Sequence, residues 1–217
     1  MRLRALEAPE AARIHQAALE LLGGVGMLVR DSDTRELLRR AGCRLVGQGG
    51  QPIGARVLRR AFERMDQVLA QEWEGRDAAL PIATPYEALI LASIIEKETA
   101  VPAERPAIGG VFVRRLQKGM RLQTDPTVIY GLGDRFDGNL RRADLRESNP
   151  YNTYVIDGLP PTPIALPGRE AIRAALRPEP GDSLYFVARG DGTHAFSATL
   201  EEHNAAVRKY QLGKPGS

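Results

Sequence analysis

The chain has 217 residues, 43% of them hydrophobic and 26% charged, which supports a packed core and excludes disorder as the main state. A net charge of +3, with a pI near 9.2, is a mild basic excess that suits an acidic polymer and suits an ordinary Arg-rich sequence equally well. Cys43 is the only cysteine, so an intramolecular disulfide and a cysteine-based zinc cluster are both excluded.

The N-terminus, "MRLRALEAPEAARIHQ", places Glu7 and Glu10 where a signal peptide needs an apolar core. Residues 9–23 carry Ala12, Ile14, Ala17, Ala18 and Leu21 at helical spacing and stop at Gly23 and Gly24. A second short helix is expected over 31–42, capped by Asp or Ser and ended by Gly42. A Gly-rich loop, 47–54, leads into an amphipathic helix over about 55–74. The next helix is the best marked: Thr84 as N-cap, Pro85 in the first helical position and Glu87 closing a capping box.

Within that helix the longest largely apolar run, 88–95, has eight residues, against roughly 20 for a membrane span. No span, anchor or export signal is expected in this sequence. Arg105–Leu116 reads as a further helix ended by "KGM", and "TDPTVIYGLGDRFDG" as loop with a short ordered element. "LYFVARGDGTHAFS" (184–197) alternates about a Gly-Asp-Gly turn and predicts a β-hairpin. Thr199 and Glu202 cap a last helix, and "GKPGS" reads as a frayed tail. There are no internal repeats. The fold class is α+β: a catalytic domain with a β-hairpin-containing sheet and long Pro/Gly loops over 55–217, preceded by a small helical segment over 1–54.

The capped helix ends in Glu96 and Glu98. Residues two apart on a helix differ by roughly 200° in direction, so both cannot enter one cleft. Glu98 lies over Ile94 and Leu91, and Glu96 over Ala92 and Ser93. Apolar neighbours disfavour the carboxylate, which a general acid at neutral pH requires. Glu98 is therefore the candidate acid and Glu96 the alternative. The loops add polar groups stiffened by proline: Gln123, Thr124 and Asp125 in one, and Asn149, Tyr151, Asn152 and Tyr154 in another. Amides, hydroxyls and tyrosine rings suit a sugar surface, though Asn, Asp, Pro and Gly are also ordinary turn formers.

His194 and His203 read as structural hydrogen-bonders, because neither has a partner at metal-ligand spacing. No phosphate-cradling loop and no nucleophile elbow occurs, so neither metal nor cofactor is expected. The Arg-Arg pairs at 39–40, 59–60, 114–115 and 141–142 are scattered and lack interleaved aromatics, which argues against a nucleic-acid partner.

Four stretches then become specific together: "LASIIEKETA", "ERPAIGGVFVRRLQKGMRLQTDPTVIYGLG", "RADLRESNPYNTYVIDGLPPTPIALPG" and "LYFVARGDGTHAFSATLEEHNAAVRKY". In order, over about residues 60–212, they resemble the YceG-like endolytic murein transglycosylase (MltG) family. The resemblance implies an enzyme, a carbon–oxygen lyase that cleaves the MurNAc–GlcNAc β-1,4 bond of peptidoglycan strands and leaves 1,6-anhydroMurNAc ends. It implies one catalytic glutamate, which falls on Glu98, with Glu96 a two-residue slip away. Gln123, Thr124, Asp125, Tyr151, Asn152 and Tyr154 would position the sugars. It also implies work at the periplasmic or extracytoplasmic face of the inner membrane, beside the cell-wall synthesis machinery.

The N-terminus departs from that family, whose members usually begin with a membrane anchor and a LysM-like subdomain. Residues 11–60 instead resemble, more weakly, the N-terminal segment of the trimethylamine methyltransferase family, whose large barrel has no room in this chain. The rival reading is a non-catalytic peptidoglycan-binding or scaffold module of the same fold.

Overall fold

The computed structural model describes residues 55–212. The helices expected over 9–23 and 31–42, the 47–54 loop, the tail and most of the trimethylamine methyltransferase resemblance lie outside the described residues. Six α-helices are present among them: α1 (Ala55–Glu74), α2 (Pro85–Glu98), α3 (Arg105–Gln117), α4 (Asp125–Leu132), α5 (Arg169–Leu176) and α6 (Leu200–Val207). Two strands, β1 (Tyr185–Ala188) and β2 (His194–Ser197), form one antiparallel sheet. The class is α+β, as the sequence indicates. A boundary between compact units falls inside α1, after Val68, and the unit from Leu69 onward carries α2–α6 and the sheet.

α2 is the centre of this unit. Thr84 accepts from the Glu87 amide at 3.2 Å while Glu87 accepts from the Thr84 amide at 3.1 Å, so two of the helix's orphan donors are satisfied reciprocally. Ala88, Ile90, Leu91, Ala92, Ile94 and Ile95 are all buried, which leaves α2 apolar nearly all round, the pattern of a helix wrapped by others. It packs on α5 and α3, and α3 packs on α5. Ile108, Val111 and Phe112 come from α3, and Ala171, Ile172, Ala175 and Leu176 from α5.

The α3–α5 contact depends on one glycine. A Cβ on Gly109 would stand 2.5 Å from the Ala174 carbonyl oxygen. Burial also takes in a hydroxyl: Ser93 donates to the Ile90 carbonyl at 2.7 Å and accepts from the Ile164 amide at 2.9 Å. That bond fastens the proline-rich loop to α2. At the end of α1 the buried Glu72 carboxylate is ringed by Arg169, Arg173 and Arg177 from α5 and the residue after it.

α5 is absent from the expectations above. Five prolines between 150 and 167 make its approach read as loop, and the helix itself runs only eight residues. α4 is the short ordered element of "TDPTVIYG", a full helix entered from an extended Thr124. The hairpin follows the alternation of its sequence, with Tyr185 opposite Ser197, Phe186 opposite Phe196, Val187 opposite Ala195 and Ala188 opposite His194. Gly190 and Gly192 take positive φ angles of 87° and 90° at its turn, which side chains resist. Phe186 meets Phe112 edge-on at 5.8 Å and so joins the hairpin to α3.

Candidate active site

The cleft of this unit begins where α2 ends. Glu98 is the last residue of the helix, followed by Thr99 in extended conformation. A carboxylate at a helix C-terminus faces the negative end of the helix dipole, so the neutral form is favoured there. Burial does more: it pushes the Glu98 carboxyl up to about 7, with nearby Asp125 adding to the rise. A hydrogen bond from the Thr124 hydroxyl to Glu98 Oε1 and the proximity of His194 oppose that rise. Glu98 is thus a carboxyl group that gains and loses its proton near neutral pH rather than in acid.

Glu96 points elsewhere. Its Oε1 accepts from Arg105 at 3.1 Å and its Oε2 from the Gly168 amide at 2.9 Å. It holds α2 to the start of α3 and to the entry of α5.

Glu98 opens onto a cavity of about 440 Å³. One wall carries Gln123, Thr124, Asp125 and Tyr154 beside Glu98. The Thr124 amide donates to the Thr153 hydroxyl at 3.0 Å, and the Gln123 amide to the Thr153 carbonyl at 3.1 Å, so the two polar loops are laced together. Tyr154 donates its hydroxyl to Asp125 Oδ1 at 2.6 Å. Burial, with that bond to a carboxylate second, drives the Tyr154 phenol well above its ordinary value, and it stays a donor. Gln123 has φ of +52°, the only non-glycine residue with positive φ among the described residues. Such a backbone is held only where its surroundings impose it, and it is common at functional sites.

Tyr151 and Asn152 lie outside the residues that line this cavity. The Tyr151 hydroxyl pairs with Thr162 at 2.8 Å, and its ring packs on Tyr130 with centroids 4.8 Å apart. Asn152 is buried. It donates to the Asp144 and Glu147 carbonyls at 3.0 and 2.9 Å and accepts from the Tyr154 amide at 3.0 Å. Both shape the loop that presents Tyr154.

The opposite wall was not singled out from the sequence. It comes from the hairpin and α6: Tyr185, Phe186, Val187, His194, Leu200, His203 and Val207. Between the walls sits Arg115 of α3, 7% exposed. Its Nε donates to the Leu184 carbonyl at 2.6 Å, and its Nη1 to the Arg121 and Leu122 carbonyls at 3.1 and 3.0 Å and to Gln123 Oε1 at 3.3 Å. The guanidinium also lies 5.0 Å from the Tyr185 ring centre, and Tyr185 stacks on His203 at 5.2 Å. No local motif marks Arg115. Its partner on the far wall is 69 residues away in sequence.

A cleft with one neutralised acid, carboxamide, hydroxyl and phenol donors and an aromatic wall is suited to proton transfer onto a polar, hydroxylated substrate. The endolytic murein transglycosylase of Bacillus subtilis (strain 168) is 47% identical over 129 residues, which cover 59% of this chain and 36% of that protein. The endolytic murein transglycosylase of Streptococcus pneumoniae serotype 2 (strain D39) is 34% identical over 137 residues, covering 60% of this chain and 25% of that protein. The chain thus spans roughly a third or less of the length of these curated relatives. A crystal structure of a yceG-like protein from Listeria monocytogenes superposes with a TM-score of 0.62 at 38% identity, over 74% of this chain and 52% of that one. A model of the YceG-like family matches residues 51–209, a span that includes Glu98 and both walls of its cleft, and the chain belongs to the YceG-like family.

Proposed function

We propose that this chain is the catalytic part of an endolytic peptidoglycan lytic transglycosylase. On this reading it cleaves the MurNAc–GlcNAc β-1,4 bond within glycan strands and leaves 1,6-anhydroMurNAc ends. The observation that carries the proposal is Glu98, a carboxyl group raised to about 7 in a cleft of about 440 Å³. The names of the relatives support the substrate class.

The chemistry follows from one acid. Glycosidases usually use two carboxyl groups, one to protonate the leaving oxygen and one as base or nucleophile. Here Thr124 occupies Glu98 Oε1, so the acidic proton is carried on Oε2. Glu98 delivers that proton to the glycosidic oxygen as the C1–O bond of MurNAc breaks. The MurNAc C6 hydroxyl then attacks C1, and the Glu98 carboxylate takes the hydroxyl proton. The acid is regenerated, and the products are a 1,6-anhydro end and a free GlcNAc 4-hydroxyl. Because the nucleophile is tethered to the reacting ring, it has a high effective molarity and water competes poorly.

Asp125 is engaged by Tyr154 and serves, with Gln123 and Thr124, to hold the sugar's polar groups. Tyr151 and Asn152 contribute by fixing the Tyr154 loop. The substrate assigns the work of the chain to the extracytoplasmic side of the membrane, beside the machinery that lays down new strands.

Mass spectrometry of peptidoglycan digested with the wild-type chain should show anhydroMurNAc ends. Glu98→Gln keeps the shape and removes the proton donor, with an expected loss of about 10²–10⁴-fold in rate. Glu96→Gln should stay active. Reducing-end MurNAc as the main product, or an active Glu98→Gln variant, would end this reading.

A further inference from the structure

The proposed chemistry uses one wall of the cleft. The other wall carries a second charged arrangement that the single-acid scheme leaves unused. Glu104, in the short 3-10 turn Pro102–Glu104 before α3, accepts twice from the first residue of β2. Its Oε1 takes the His194 backbone amide at 2.8 Å, and its Oε2 lies 2.8 Å from His194 Nδ1. The Thr99 hydroxyl reaches the same Oε2 at 3.4 Å, and Thr99 directly follows Glu98. The ring is packed edge-on against Phe186 with centroids 5.4 Å apart. With Nδ1 committed, Nε2 is the remaining hydrogen-bonding atom of a side chain that lines the cavity with Glu98.

This is the arrangement by which a carboxylate fixes an imidazole in one orientation. Hydrogen bonds from His194 hold Glu104 below its ordinary value against the effect of burial, so Glu104 is ionised and able to do so. Several titratable or charged groups share the cavity with Glu98: Asp125 from α4, Tyr154 from the polar loop, Arg115 from α3, Tyr185 from β1, His203 from α6 and His194 from β2. Asp125 and Tyr154 favour the neutral acid or add no positive charge. Arg115 directs its donors to backbone carbonyls and to Gln123 Oε1. His194 stands where a positive charge on its ring would favour the Glu98 carboxylate.

We propose that His194, clamped by Glu104, is a positioning residue that acts through Glu98. It stabilises the Glu98 carboxylate formed after proton delivery and so lowers the barrier to that step. The proposal rests on the assignment of Glu98 as the acid, but its primary test does not need the reaction.

The test is a titration of the Glu98 side-chain ¹³Cδ shift by NMR in the full chain, followed together with the His194 ring shifts. In wild type the Glu98 curve should carry an inflection at the pH where His194 titrates. In His194→Gln, which keeps a hydrogen-bonding side chain without the charge, the Glu98 midpoint should move upward. Glu104→Gln should move it the same way by releasing the imidazole. The activity profile should agree: the alkaline fall-off shifts upward in both variants, kcat drops by about 10-fold or more and KM barely moves. A purely structural hairpin clamp would lower Tm and scale activity equally at every pH, with the Glu98 titration unmoved. That outcome overturns the proposal. So does a wild-type Glu98 curve with no inflection at the His194 transition, a reading that remains available if a variant does not fold. A Glu98–His194 coupling in a chain that makes no anhydro product would sink the transglycosylase reading and leave the electrostatic part of this one standing.

Discussion

At the residue scale the proposal turns on a buried carboxyl group pushed up to about 7. On the proposed mechanism Glu98 begins as the acid, so activity should fall as pH rises through about 7, and a pH–rate profile on isolated glycan strands will show it. The same shift has a stability sign. The folded state holds the Glu98 proton up to about 7, whereas an unfolded glutamate releases it near 4.5. Stability from this group is therefore full below the lower value and is lost as pH rises through the upper one, by an amount on the order of 3 kcal/mol. Glu98→Gln removes the penalty, so its melting temperature should match wild type in mild acid and exceed it at about pH 8.5. Equal melting temperatures at both pH values would mean that Glu98 is not buried as an acid.

Elements differ in how much of them the sequence declares. α2 was legible because capping is local: Thr84, Pro85 and Glu87 lie within four residues and each acts on the first turn. The hairpin was legible for a similar reason, since its turn glycines and its alternation sit within one segment. α5 was not, because an eight-residue helix entered from proline-rich loop has little periodicity to read, and its apolar face is decided by α2 and α3. The site divides in the same way. Glu98, Gln123, Thr124, Asp125 and Tyr154 lie in compact, recognisable motifs. Arg115 and the Glu104–His194 clamp join residues 69 and 90 positions apart, and no local pattern encodes such pairs. The helix packing yields its own prediction. Gly109→Ala brings a methyl group to 2.5 Å from the Ala174 carbonyl, where backbone cannot yield cheaply. Destabilisation of about 1–3 kcal/mol by chemical denaturation is expected, from overpacking. An unchanged midpoint would show that α3 and α5 slide freely.

At the scale of the whole molecule, every residue that lines the cleft comes from position 98 or later. The end of α1 is tied downstream by Glu72 to Arg169, Arg173 and Arg177. We therefore expect a chain starting at Ala55 to keep its helical circular dichroism and its cooperative melt. A random-coil spectrum would instead make the first 54 residues part of the core. The order of the cleft's parts along the chain has a further consequence, during synthesis. The ribosome releases Glu98 well before Tyr185, His194 and His203, which line the same cavity. A nascent chain that ends before the hairpin therefore presents Glu98 without the far side of its cleft, and the cleft is complete only once the last helix has been made.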